Sequence, residues 1–130
     1  EPTSPLRKEN DIDTGLMMLI NQWKSYDSIV SLGKVHLENP EICKSIKKSN
    51  VVPYTDKSRR ITRRQELNDV YFPYGVLYAS KVKDFLDCKT FYLNRTLSMV
   101  IDRWQNYEVD DIYDFLCIES IMNYKGFKYE

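Results

Sequence analysis

The chain has 130 residues, enough for about one domain with a single core and too few for two. Lys plus Arg and Asp plus Glu each number 19, giving a net charge of 0, so no overall field draws it to a nucleic-acid backbone or an anionic membrane. With 42% hydrophobic and 13% aromatic residues and only 4 Gly and 5 Pro, it is a globular chain and not a disordered one.

The opening PTSPLR places two prolines in six residues, which fixes backbone angles and removes amide donors, so a rigid loop is expected. Asp11 or Asp13 then caps a helix over about 12–25, with Ile12, Leu16, Leu19, Ile20 and Trp23 at helical spacing and Gly15 lowering its propensity. Residues 28–32 (SIVSL), stopped by Gly33, read as a buried strand. Residues 39–54 carry both a helix start at Asn39-Pro40 and strand-like alternation at Ile42, Lys44 and Ile46; a hairpin is the preferred reading. KSRRITRR at 57–64 belongs on the surface or beside an anion. A strand over Val76–Ala79 and a short helix from Lys81 to Asp87 follow. Next come a strand at Met99–Ile101 and a carboxy-terminal helix, capped by Asp110 or Asp111. Its wide apolar face holds Ile112, Phe115, Leu116, Cys117, Ile118, Ile121 and Met122. The order is that of an α/β protein.

Cys43, Cys88 and Cys117 are odd in number and form no C-x-x-C pair, which fits a reduced, cytoplasmic setting. No apolar run reaches the roughly 18 residues of a membrane span, and the opening lacks a signal-peptide pattern. His36 is the single histidine, which excludes two-histidine zinc sites; it is read as a surface or packing residue.

Two constellations bear on chemistry. Glu108 and Asp110 flank Val109 where a strand is expected to give way to the last helix, and a period of two puts both carboxylates on one face, as a phosphate-linked Mg²⁺ requires. The competing reading has Asp110 and Asp111 as helix caps and Glu108 in solvent. Lys57, Arg59, Arg60, Arg63 and Arg64 suit an anionic ligand, or a solvated basic loop. The aromatics Tyr71, Phe72 and Tyr74 follow this cluster without interleaving, which argues against a nucleic-acid patch.

Taken in order, PTSPLR (2–7), RRQEL (63–67), PYGVLY (73–78) and YEVDDIYDFLCIE (107–119) make the chain resemble the acylneuraminate cytidylyltransferase family nearly end to end. The resemblance implies a three-layer α/β/α nucleotide-binding sandwich, with an inserted hairpin region over about residues 36–72 that forms a homodimer. It implies transfer of CMP from CTP to an acidic nine-carbon, sialic-acid-like sugar, with Mg²⁺ as cofactor and no nucleic-acid or membrane partner. Residue by residue, the metal positions fall on Glu108, where the family usually has Asp, and on Asp110, which with Arg64 is the expected catalytic pair. Arg64 and Gln65 match the family's R-Q motif beside the sugar. Glu1 stands where a sugar-contacting Gln is common, Tyr74 replaces an Asn, and Tyr78, Phe91 and Tyr92 shape the sugar pocket. The departures at 1 and 74 imply a sugar other than plain N-acetylneuraminic acid.

The family's opening strand and its Gly/Ser/Lys loop for the CTP phosphates match nothing in residues 1–130, so the chain reads as the carboxy-terminal part of such an enzyme, inactive alone. The alternatives are a non-catalytic assembly module and a nucleotidyltransferase for another sugar.

Overall fold

The computed structural model describes residues 1–55 and 64–127, and the chain divides into two units, one of Glu1–Gly33 with the chain from Pro73 onward and one of Lys34–Phe72. The first unit holds helix α1 (Asp11–Asn21), strand β1 (Ser28–Lys34, its last residue in the second unit), strand β4 (Tyr71–Ser80, entering from the second unit), helix α2 (Val82–Cys88), strand β5 (Thr96–Val100) and helix α3 (Ile112–Lys125). The second holds strands β2 (Lys44–Lys47) and β3 (Asn50–Pro53). The protein is mixed α/β.

The three-stranded sheet has the order β4-β1-β5. β1 and β5 are parallel, in register from Ser28↔Thr96 to Leu32↔Val100. Lys81 N donates to Asp27 O at 2.9 Å, and four residues further along β1 Ser31 meets Leu77, four residues back along the chain, so β4 runs antiparallel to β1. The central position of β1 accounts for burial of four successive residues, Ser28 to Ser31. The two serines among them are satisfied from neighbouring strands: Ser28 Oγ shares a proton with Thr96 Oγ1 at 2.8 Å, and Ser31 Oγ accepts from Leu77 N at 2.9 Å.

The core is Leu19 of α1, Ile29 of β1, Leu77 of β4 and Met99 of β5. Gly15, unfavourable for a helix in isolation, is where α1 lies down on the sheet: a Cβ there would sit 2.1 Å from Leu77 Cδ2 and 3.0 Å from Met99 Sδ. α1 ends at Asn21, before the expected 25, where the bonds tighten from i−4 to i−3: Gln22 N donates to Leu19 O and Trp23 N to Ile20 O, both at 3.2 Å. Lys81 Nζ bonds Trp23 O (2.6 Å) and Arg95 Nη1 bonds Lys24 O (3.1 Å).

In the second unit, Asn39 starts a turn and not a helix, its Oδ1 accepting from Glu41 N at 2.9 Å and its Nδ2 donating to Asn68 O at 3.1 Å. β2 and β3 pair antiparallel, Lys44↔Pro53 to Lys47↔Asn50, through Lys48 and Ser49. Both of these have positive φ (48° and 69°), the backbone of a tight primed turn. Lys57, Arg59, Arg60 and Arg63 lie outside the described residues.

Toward its end the chain departs from the sequence expectation. β5 starts at Thr96, three residues before the expected strand, and residues 106–109 join no sheet. In α3 only Ile118 is buried, while Ile112, Phe115, Leu116 and Cys117 are exposed. Gly126, at φ 74°, closes the helix in the left-handed conformation, and Phe127 packs on Trp104 with ring centroids 6.0 Å apart.

One carboxylate fastens the amino ends of β1 and β5 and the far end of β4. Asp27 Oδ1 accepts from Lys81 Nζ (2.9 Å) and Arg95 Nη2 (2.6 Å), Oδ2 accepts from Arg95 Nε (2.8 Å), and Asp27 N donates to Arg95 O (2.8 Å). The Arg95 hydrogen bonds first, and that from Lys81 next, hold the Asp27 carboxyl at about 2, below its ordinary 3.8. A folded value below the unfolded one means that folding favours the ionised form, so the stabilisation is complete above the ordinary value and is lost as pH falls through 3.8 toward 2. Asp27→Asn is therefore expected to flatten the acid limb of the melting temperature against pH between 3.8 and 2; an unchanged limb refutes the assignment.

Candidate functional site

The candidate site gathers at the carboxyl ends of the parallel strands, where open α/β sheets bind ligands. At the end of β1, Gly33 lies directly under Asn106, since a Cβ at 33 would be 2.1 Å from Asn106 Oδ1. Segment 105–109 thus crosses that end of the sheet, and the opening loop runs alongside it: Gln105 Nε2 donates to Leu6 O (3.1 Å) and Val109 N to Thr3 O (2.8 Å). The prolines at 2 and 5 are exposed while Ser4 and Leu6 are buried at 1%, so the loop inserts every second side chain.

Ser4 Oγ donates to Glu108 Oε1 at 2.7 Å, and Gly75 N donates to the same oxygen at 2.6 Å. Gly75 O accepts from the Glu1 main-chain nitrogen at 3.0 Å, and Arg7 Nη2 donates to Glu1 O at 2.6 Å. Among the described residues Glu108 Oε2 accepts no hydrogen bond.

Gly75 is presented in this way because β4 kinks beside it. In an unbroken strand, residues 75 and 77 turn their N–H and C=O to the same edge. Here Gly75 bonds away from β1, whereas Leu77 bonds Ser31 of β1 through both its N–H (2.9 Å) and its C=O (3.0 Å). Ser31 Oγ also contacts Tyr74 O. The alternation slips between Gly75 and Leu77, the mark of a bulge, and Pro73, with no N–H to contribute, precedes it. A side chain at 75 has no room: its Cβ would be 2.5 Å from Glu1 Oε2 and 2.6 Å from Ser4 Oγ.

Tyr78, three residues along β4, opens an aromatic wall. Its ring stacks on Phe91 at 5.8 Å and meets Tyr92 edge-on at 6.4 Å, and Phe85 of α2 backs Phe91 at 4.8 Å. The loop carrying Phe91 and Tyr92 is pinned by hydroxyls, Thr90 Oγ1 accepting from Tyr92 N (3.1 Å) and Thr96 Oγ1 from Leu93 N (2.7 Å). Burial pushes the Tyr78 phenol up, and the hydrogen bond with Tyr92 and the charges of Glu1 and Glu108 push it further. It stays protonated at neutral pH.

Asp111 is the helix cap. Its Oδ1 accepts from Tyr113 N (2.7 Å) and Asp114 N (3.1 Å), and Asp114 Oδ2 reaches back to Asp111 N (3.3 Å) and Asp110 N (3.2 Å). The Asp110 carboxylate is exposed and takes no part in the cap. Glu108 and Asp110 therefore do not project from a strand, as the period of two anticipated, nor is Glu108 left in solvent; it is drawn down onto Ser4 and Gly75.

The structure thus brings Glu1, Glu108, Tyr78, Phe91 and Tyr92 together, with Asp110 two residues from Glu108 and Tyr74 joined through its carbonyl. Gln65 is exposed in a 3-10 turn (Arg64–Glu66) of the second unit, and the Arg64 side chain lies outside the described residues. Sequence reasoning missed Ser4 and Gly75, although both lie inside quoted motifs; a serine between two prolines, in a loop short of donors, was the available signal. Among the described residues no group of three or more His, Cys, Asp or Glu converges. Glu108 keeps one oxygen without a donor among the described residues and the Asp110 carboxylate is exposed, and hard carboxylate oxygens of this kind are what Mg²⁺ takes.

No family model matches the chain. Over 114 residues, 88% of its length, it is 25% identical to an N-acylneuraminate cytidylyltransferase of Streptococcus agalactiae serotype V. The chain spans 27% of that relative's length. The likeness is a distant one, at the level of family resemblance. Among the described residues no helix is long and apolar enough to cross a membrane.

Asp111→Ala is expected to cost about 1 kcal/mol in urea unfolding, the usual loss of a cap, whereas Asp110→Ala stays within about 0.5 kcal/mol. Equal losses at the two positions contradict this division of labour.

Proposed function

We propose that this chain supplies part of the active site of a cytidylyltransferase that transfers CMP from CTP to an acidic nine-carbon sugar and releases pyrophosphate. The observation that carries the reading is the pair of acidic residues with different fates: Glu108 is anchored at the carboxyl end of the sheet with one oxygen unengaged, and Asp110 is released from capping by Asp111. The resemblance to an N-acylneuraminate cytidylyltransferase supports the substrate class. The sandwich, the cradle for the CTP phosphates and a cytoplasmic location belong to the same proposal.

In this reading the anomeric hydroxyl oxygen bonds to the α-phosphorus of CTP in line as the bond to the bridging oxygen breaks, giving the CMP-sugar and pyrophosphate, with the hydroxyl proton released to water. The aromatic wall of Tyr78, Phe91 and Tyr92 holds the sugar, and Glu1 and Tyr74 contact its substituents. Glu108 and Asp110 would hold Mg²⁺, which when bound offsets the phosphate charge. Tyr78, kept as a neutral phenol, donates a hydrogen bond without adding charge to a site that already has two carboxylates near it.

Given CTP, Mg²⁺ and a panel of nonulosonic acids, the full-length protein is expected to release pyrophosphate, with Glu108→Gln and Asp110→Asn each lowering kcat roughly 100-fold and Asp111→Asn leaving it near wild type. Near-normal turnover in both of the first two variants overturns the reading.

A second reading, a homodimer-forming assembly module, is favoured by the hairpin of the second unit. Its cross-strand pair Ile46 and Val51 is 79% and 71% exposed, and Tyr54 beyond it is 66% exposed. A dissociation constant near 1 μM, about −8.2 kcal/mol, populates dimers at tens of micromolar. Sedimentation showing monomer alone there rejects the module.

A further inference from the structure

Resting on the reading above, we infer that Ser4 is a positioning residue: its hydroxyl, with the Gly75 amide, clamps Glu108 Oε1 so that Oε2 alone is offered to a divalent cation. Three observations meet at this point. Both donors fall on one oxygen, at 2.7 and 2.6 Å, and among the described residues the other oxygen accepts nothing. Ser4 is 1% exposed, so its hydroxyl points inward by construction of the loop and water does not compete for it. The loop itself is held from both sides, by Val109 N on Thr3 O (2.8 Å) and Gln105 Nε2 on Leu6 O (3.1 Å), so Ser4 has no freedom to follow a wandering carboxylate.

A glutamate side chain has three rotatable bonds, and an unclamped one must be ordered when a cation arrives. Here the folded chain has ordered it beforehand. Hydrogen bonds to a ligating carboxylate fix its orientation and tune its basicity, and loss of such a partner typically weakens metal binding by about 10–100-fold. Arg7 adds to the scaffold from the far side, bonding Glu1 O, whose own nitrogen bonds Gly75 O. The clamp is thus made of main-chain geometry and one hydroxyl.

The test is a titration of the full-length protein with Mn²⁺ alone, as a paramagnetic stand-in for Mg²⁺, following free ion by electron paramagnetic resonance. Ser4→Ala is expected to weaken Mn²⁺ binding about tenfold. Gly75→Ala keeps the hydroxyl but places a methyl 2.6 Å from Ser4 Oγ, and is expected to weaken it similarly, which guards against a folding defect peculiar to one variant. Metal-free melting curves are recorded beside each titration. Wild-type affinity in both variants overturns the inference, and so does a fall in melting temperature with affinity unchanged, which marks a hydroxyl that only holds the loop. Failure of the metal reading looks different: wild type and Glu108→Gln then bind Mn²⁺ equally, and the positioning role falls with it.

Discussion

At the carboxyl end of the sheet in the larger unit, two distant parts of the chain meet on one oxygen atom, Glu108 Oε1. It accepts from a residue 104 positions away in the opening loop and from a glycine 33 positions away in β4. Hydrogen bonds to a charged acceptor contribute about 1.5–3 kcal/mol each, more than neutral ones, and removing the acceptor would leave the buried Gly75 amide without a partner. That amide is available because β4 has β1 on one side only and because the strand kinks at Gly75. A strand edge, normally an invitation to further pairing, is here answered by a side chain and a loop.

The two ends of the sheet are built on opposite principles. At the amino ends of β1 and β5, both carboxylate oxygens of Asp27 are engaged, by Arg95 and Lys81. At the carboxyl ends, Glu108 is half engaged and the Asp110 carboxylate takes no part in the helix cap. A site for charged ligands needs unspent oxygen atoms in a fixed place, and Glu108 is held in its place by Ser4 and Gly75.

Local pattern carried much of this architecture. The apolar spacing of α1, the β-branched run of β1, the hairpin and a cap at the start of α3 all follow from near neighbours in sequence, so they were legible. Where the outcome depended on partners far along the chain, sequence was silent. Beyond the early end of α1, Lys81 and Arg95 capture carbonyls of Trp23 and Lys24, and nothing near residue 22 announces it. The same limit applies to the site: the acidic pair stands out in YEVDD, but whether Glu108 points outward or down is decided by Ser4 and Gly75. Tyr78, Phe91 and Tyr92 were singled out through family resemblance, since aromatic residues in an α/β chain are by default core. Choosing between Asp110 and Asp111 as the cap needed the backbone, because both stand within one residue of the helix start.

Ser31 adds something of a different kind. Its hydroxyl touches the carbonyls of both Tyr74 and Leu77, but a hydroxyl has a single proton. Only one carbonyl is served at a time, so the buried kink has two proton placements, one toward Tyr74 and one toward Leu77. That one hydrogen stands between carbonyls one residue before and two residues after Gly75, the glycine whose amide steadies Glu108.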